Sequence, residues 1–148
     1  MQAVKNELCS QEYLYDFAKD GGAISTKVLS NKNGKAPLPV GAILKSVYAK
    51  VVTTCTSGGS ATVSWGNGDG VTVYSGTAIA VASLTAGAIF NGWDNGASAL
   101  WDDTNDHPIF VNIDDATTGN FSMAIAADTL TAGKIVFVCE YYLPAIDL

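Results

Sequence analysis

Polar and apolar residues alternate along most of the chain instead of recurring every three or four positions. From Ser60 to Trp65, Ala61, Val63 and Trp65 fall on one face and Ser60, Thr62 and Ser64 on the other, the pattern of a half-buried strand. Pro108 to Ile113 repeats it, with Ile109, Val111 and Ile113 set against Phe110 and Asn112, and so does Phe121 to Ile125, with Phe121, Met123 and Ile125. Two longer runs, Ala42 to Cys55 and Lys134 to Tyr142, carry valine, isoleucine and aromatic residues on both faces. That pattern predicts strands covered on both sides, central in a sheet or buried at a subunit contact.

Turn residues separate these runs: Ser57, Gly58 and Gly59; Gly66 to Gly70; Asn91 to Gly96; and Thr117 to Asn120. Glycine and asparagine tolerate the left-handed backbone of tight turns. Strands spaced roughly eight to twelve residues apart, with no capped helical stretch, predict an all-β fold, an antiparallel β-sandwich or jelly-roll-like single domain with scarce helix. Ser30 to Pro39 reads as a loop. Residues 1–22 differ in character. Tyr13, Tyr15 and Phe17 alternate with Leu14, Asp16 and Ala18, which predicts an extended N-terminal arm leading into a first strand, ahead of the sandwich proper at 23–148. A short helix begun at Ser10, an acceptable N-cap, is the competing reading.

Ala78 to Phe90 (AIAVASLTAGAIF) matches Ala124 to Val136 (AIAADTLTAGKIV) at eight of thirteen positions. Each copy places Leu-Thr-Ala-Gly between two apolar runs, and Gly87 and Gly133 can take a positive φ. The echo is either a repeated strand corner or the reuse of one good turn; two copies are too few for a solenoid.

Composition narrows the function classes. The 148 residues, 48% hydrophobic and 15% charged, suit one folded domain and exclude intrinsic disorder. All eight basic residues are lysines, set against eleven aspartates and three glutamates, for a net charge of -6. Without arginine or a basic patch, nucleic acid is excluded as a direct ligand, and an acidic membrane surface is disfavoured. Lys5, Glu7 and Glu12 interrupt any apolar N-terminal run, and no stretch approaches the roughly 20 residues of a membrane span, so a soluble, cytoplasmically made chain is expected. Cys9, Cys55 and Cys139, odd in number and without metal-like spacing, read as free, buried thiols.

No catalytic constellation emerges, and no cofactor or metal site is assigned. The one histidine, His107, stands between Asp106 and Pro108 with no nucleophile framed beside it, and Asn67 to Gly70 lacks the lysine and helix of a phosphate loop. Asp102, Asp103 and Asp106, with Asp94, Asp114 and Asp115 nearby, could offer calcium its hard oxygen ligands, but they lack the central glycine and distal glutamate of the helix-loop-helix pattern. The same acids could in principle serve glycoside hydrolysis, though an ordinary solvated loop has this composition. Trp93 and Trp101 flank a glycine-rich loop beside them; such tryptophans fold over a sandwich edge, meet a protein partner or form a sugar platform.

Tyr15-Asp16-Phe17 followed by Asp20 to Ala23, Leu38 to Ala42, Val47 to Thr54 running into Ser57 to Val63, and Leu130 to Lys134 before Tyr141 together resemble the head decoration, or cement, proteins of tailed bacteriophages. Their order matches over most of the chain, and Asn91 to Asp106 fits least. The resemblance implies a β-sandwich or jelly-roll subunit, commonly a homotrimer, made in the host cytoplasm and bound to the major capsid protein on the capsid surface of the virion, without catalysis. Tyr13, Tyr15, Phe17, Trp93 and Trp101 are then the expected partner-binding residues, with an arm that adds main-chain hydrogen bonds on docking. A tail- or fibre-associated module gripping glycan through Trp93 and Trp101, with calcium at Asp102, Asp103 and Asp106, is the alternative.

Overall fold

A computed structural model describes residues 7–31, 37–68, 74–91, 101–102, 107–108 and 111–144. In chain order its strands are β1 (Glu7–Asp16), β2 (Ser25–Val28), β3 (Ser30–Asn31), β4 (Ile43–Ser57), β5 (Thr62–Asn67), β6 (Ile79–Ala80), β7 (Ile89–Phe90), β8 (Trp101–Asp102), β9 (His107–Pro108), β10 (Val111–Asn112), β11 (Phe121–Ala126) and β12 (Leu130–Leu143). Two single-turn helices, α1 (Phe17–Asp20) and α2 (Ala116–Gly119), are the described α-helices. One sheet runs β10-β4-β12-β1-β3, with β7 also paired to β4; the other runs β2-β11-β5-β6; β8 and β9 form a ribbon of their own. Every pairing among them is antiparallel. The fold is the expected all-β sandwich.

The alternation seen in the sequence becomes the inner and outer faces of these sheets. Tyr13 and Tyr15 of β1, Ile135, Phe137 and Cys139 of β12, Val63 and Trp65 of β5, and Phe121, Met123 and Ile125 of β11 are all buried in the core. Their rings form a connected series. Tyr13 stacks on Phe121 at 5.0 Å, Phe121 meets Phe137 at 5.0 Å, and Phe137 meets Trp65 at 5.2 Å. Burial of each such ring stabilises the fold by roughly 1.5–3 kcal/mol, with a further increment from ring geometry.

The long strand β4 departs from strict alternation, because Leu44 and Val47 are both buried. Glu140 lies opposite Ser46 but Tyr141 opposite Leu44, so Lys45 is an extra residue in a β-bulge that turns Leu44 back to the core.

The sequence echo is a repeated corner between the sheets. The first copy passes from β6 to β7 and the second from β11 to β12, each leaving one sheet and entering the other. Ile79 and Ile125 both lie opposite Val63, and Ala80 and Ala126 both lie opposite Thr62, so the copies flank β5 on its two sides. β7 and β12 likewise flank β4. Leu84 and Leu130 are both buried, and Gly87 and Gly133 both have a positive φ, of 89° and 142°.

Several local expectations are revised. β1 begins at Glu7, earlier than the aromatic alternation indicated, and pairs with β12 through ten residues to Asp16. The strand therefore prevails over a helix begun at Ser10. Asp16 ends it by capping α1: its carboxylate accepts from the Ala18 N–H, while its own N–H donates to Asp20 at 2.8 Å. The turn expected at Thr117 to Asn120 includes most of α2, capped by Asp115, which accepts from Thr118 N–H at 2.7 Å. Within Pro108 to Ile113, Val111–Asn112 pairs with β4 and the Ile113 amide donates to Ala42, whereas Pro108 belongs to the separate ribbon.

Candidate functional site

The aromatic residues of the first strand sit inside the molecule. Tyr13 is 1% exposed and Tyr15 is 0% exposed, and the inward face of β1 is where strict alternation must put them. The Tyr13 hydroxyl accepts from the Gln11 side-chain amide at 2.9 Å, and the Tyr15 hydroxyl donates to the Gly21 carbonyl at 3.0 Å. Burial holds both phenols well above the ordinary tyrosine range. Phe17, the first residue of α1, is half-buried and packs against the core. What β1 turns outward is Leu8, Ser10, Glu12 and Leu14.

Trp93 lies outside the described residues, as do Asp94, Asp103 and Asp106. Trp101 and Asp102 form β8, with Pro108 and His107 opposite them in β9. The neighbouring acids Asp114 and Asp115 are engaged by α2. The Thr118 hydroxyl donates to both carboxylates at 2.8 Å, and its amide donates to Asp115, whose carboxyl is held below the usual carboxylate range by that backbone bond first and the hydroxyl second. Among the described residues, no three histidine, cysteine, aspartate or glutamate side chains gather as a metal would require.

All three cysteines are free, as their number and spacing implied; Cys55 and Cys139 are buried and Cys9 is half-buried. Burial pushes the Cys55 thiol up to about 11 and Cys139 further, which removes thiolate reactivity near neutrality.

The surface that stands out is the outer face of the larger sheet. Register places its side chains in rows across β1, β12 and β4: Leu8–Tyr142–Ile43, Ser10–Glu140–Ser46, Glu12–Val138–Tyr48 and Leu14–Val136–Lys50. Val136, Val138, Tyr48 and Tyr142 are half-buried, while Leu8 at 51%, Val52 at 48% and Ile89 at 66% are exposed. The other sheet turns outward small neutral residues in its central strands, among them Thr62, Ser64 and Ala124. Apolar and aromatic residues on both faces of β12, Ile135, Phe137 and Tyr141 on one and Val136, Val138 and Tyr142 on the other, were the signal in the sequence. Only the inner of those faces is covered by the second sheet.

No protein-family model matches the chain, and neither does any curated protein sequence. Among solved structures, it is similar in fold to a chain of the cyanophage Pam1 capsid asymmetric unit, at a TM-score of 0.58 and 16% identity, over 94% of this chain and 86% of that one. A chain of the acidic stable capsid of Helicobacter pylori bacteriophage KHP30 aligns with it over 100% of both chains at 16% identity and a TM-score of 0.48.

Proposed function

We propose that this chain is a non-enzymatic structural protein of a tailed-bacteriophage virion, and within it a decoration protein that binds the outer surface of the head. The observation that carries the reading is the sandwich fold held in common, over nearly its whole length, with a chain of a phage capsid. The resemblance of its strand-and-turn phrases to cement proteins points the same way. The outer face of the larger sheet, with half-buried valines and tyrosines among polar residues, gives such a protein surface to bury, whether against the major capsid protein or against copies of itself in a trimer.

The mechanism is mass action. A protein that binds the assembled shell and not its separated subunits adds its binding free energy to the assembled state, and so opposes bursting under internal DNA pressure. The acidic chain needs no contact with that DNA.

Quantitative mass spectrometry of purified particles tests this by counting copies of the chain relative to the major shell protein. A ratio near one, or a simple fraction of it, is expected for a protein that covers a lattice. A handful of copies per particle would move it to the tail or a fibre, and absence from particles would overturn the virion reading. Docking through an N-terminal arm is tested separately by a truncation that stops before Glu7. Removing residues 1–17 would instead take β1, with Tyr13 and Tyr15, out of the core.

A further inference from the structure

The row Ser10–Glu140–Ser46 crosses the outer face of the larger sheet between the rows Leu8–Tyr142–Ile43 and Glu12–Val138–Tyr48, and it lies beside a cavity. The cavity, an open depression of about 350 Å³, lies over the paired strands β1 and β12 and is lined by Leu8, Cys9, Ser10, Val138 and Glu140. Glu140 is half-buried there, and among the described residues no lysine pairs with it. A half-buried carboxylate without an ion-pair partner remains free to accept charge-assisted hydrogen bonds from a cation. Directly opposite Glu140 in β4, Ser46 is 2% exposed and its hydroxyl has no hydrogen-bond partner. Along the row the carboxylate stands between the exposed Ser10 and the buried Ser46, with Tyr142, Tyr48 and Glu12 in the adjoining rows.

We infer that this cleft receives the guanidinium group of an arginine from a partner protein. The carboxylate can accept two parallel N–H bonds from the planar fork, the Ser10 hydroxyl can accept another, and Leu8 and Val138 can cover the methylene stem. Arginine fits better than lysine because its weakly hydrated, delocalised cation tolerates apolar and aromatic surroundings. This chain contains no arginine, so a second copy cannot supply the group. The net charge of -6 favours the approach of a basic partner surface. The inference concerns the cleft and stands whether or not the partner is a phage shell.

Methyl NMR of the intact chain tests it by titration with N-acetyl-arginine amide, N-acetyl-citrulline amide and N-acetyl-lysine amide. The arginine probe is expected to produce saturable shifts at the Leu8 and Val138 methyls, weakened at least about tenfold in Glu140→Gln, as loss of a charge-assisted hydrogen bond implies. Citrulline, the same shape without the charge, should bind at least about tenfold more weakly than arginine. Absence of saturable shifts would overturn the proposal, as would equal binding of arginine and citrulline. Tighter binding of lysine than arginine would also overturn it and would point to lysines of a second copy. The probe comparison uses one unaltered protein, so it reads out even if Glu140→Gln disturbs the fold.

Discussion

Gly87 and Gly133 occupy equivalent places in the two corners, yet their surroundings differ. Nothing lies within 4 Å of a side chain added at Gly87, whereas one at Gly133 would meet the Cys55 sulfur at 2.5 Å and its Cα at 3.1 Å. Gly87→Ala is therefore expected to cost only the left-handed backbone strain, about 1–2 kcal/mol. Gly133→Ala adds a clash within the paired strands and should cost about 2–4 kcal/mol. Urea denaturation midpoints of the two variants check the difference, and equal losses would show that the β4–β12 contact yields easily. The buried thiols and phenols carry a second consequence. Their pKa values are raised in the folded chain, so the unfolded chain ionises first, at the ordinary 9.0 for cysteine and 10.0 for tyrosine. The stability they contribute is complete below about pH 9 and falls as pH rises above it, for Cys55 through about 11. Denaturation midpoints measured from pH 7 to 11 should be level at first and then decline. A level line throughout would mean that these groups are not shielded.

At the scale of elements, the repeated corner organises the sandwich. Each copy uses an isoleucine beside Val63, a buried leucine at the crossing and a glycine where the chain joins β4. Leu84→Ala and Leu130→Ala should each cost about 2–5 kcal/mol, the usual range for emptying a buried leucine site. Equilibrium unfolding of both variants checks this. A loss confined to Leu130 would show that only the corner between β11 and β12, both longer strands, bears on global stability. The bulge in β4 shows why strand alternation alone misleads. Leu44 and Val47 cannot share a face in a regular strand, and the single extra residue at Lys45 lets both reach the core.

For the whole molecule, the pairing of β1 with β12 sets the character of folding. Glu7 lies opposite Leu143, so one sheet joins nearly the two ends of the described chain. Such distant contacts repay the entropy of closing the chain only late, and they slow folding. Refolding is expected on a time scale of roughly milliseconds to seconds, as for other all-β domains. Stopped-flow fluorescence can follow it through the buried Trp65, and a microsecond phase carrying the full amplitude would contradict this. At the same scale the outer face of the larger sheet bears on function. Half-buried valines and tyrosines in rows, interspersed with Glu12, Glu140 and Lys50, present a surface of mixed character that a partner can cover.

The fold class, the main strands and the scarcity of helix among the described residues were legible in the sequence. Those properties follow from local alternation and turn chemistry, which neighbouring residues carry among themselves: Val63 and Trp65 announce an inward face, and Gly58 and Gly59 announce a turn. The sequence also held the repeated corner, since identical short segments prefer identical backbone paths. Which face of each run is covered depends on how the two sheets pack. Tyr13 and Tyr15, conspicuous as contact residues in the sequence, turn inward because the register with β12 places them opposite Phe137 and Ile135. The same register turns Leu8, Ser10 and Glu140 outward to frame the cleft. Burial is a property of what lies across and beneath a sheet, as far along the chain as Leu143 is from Glu7, and no local pattern contains it.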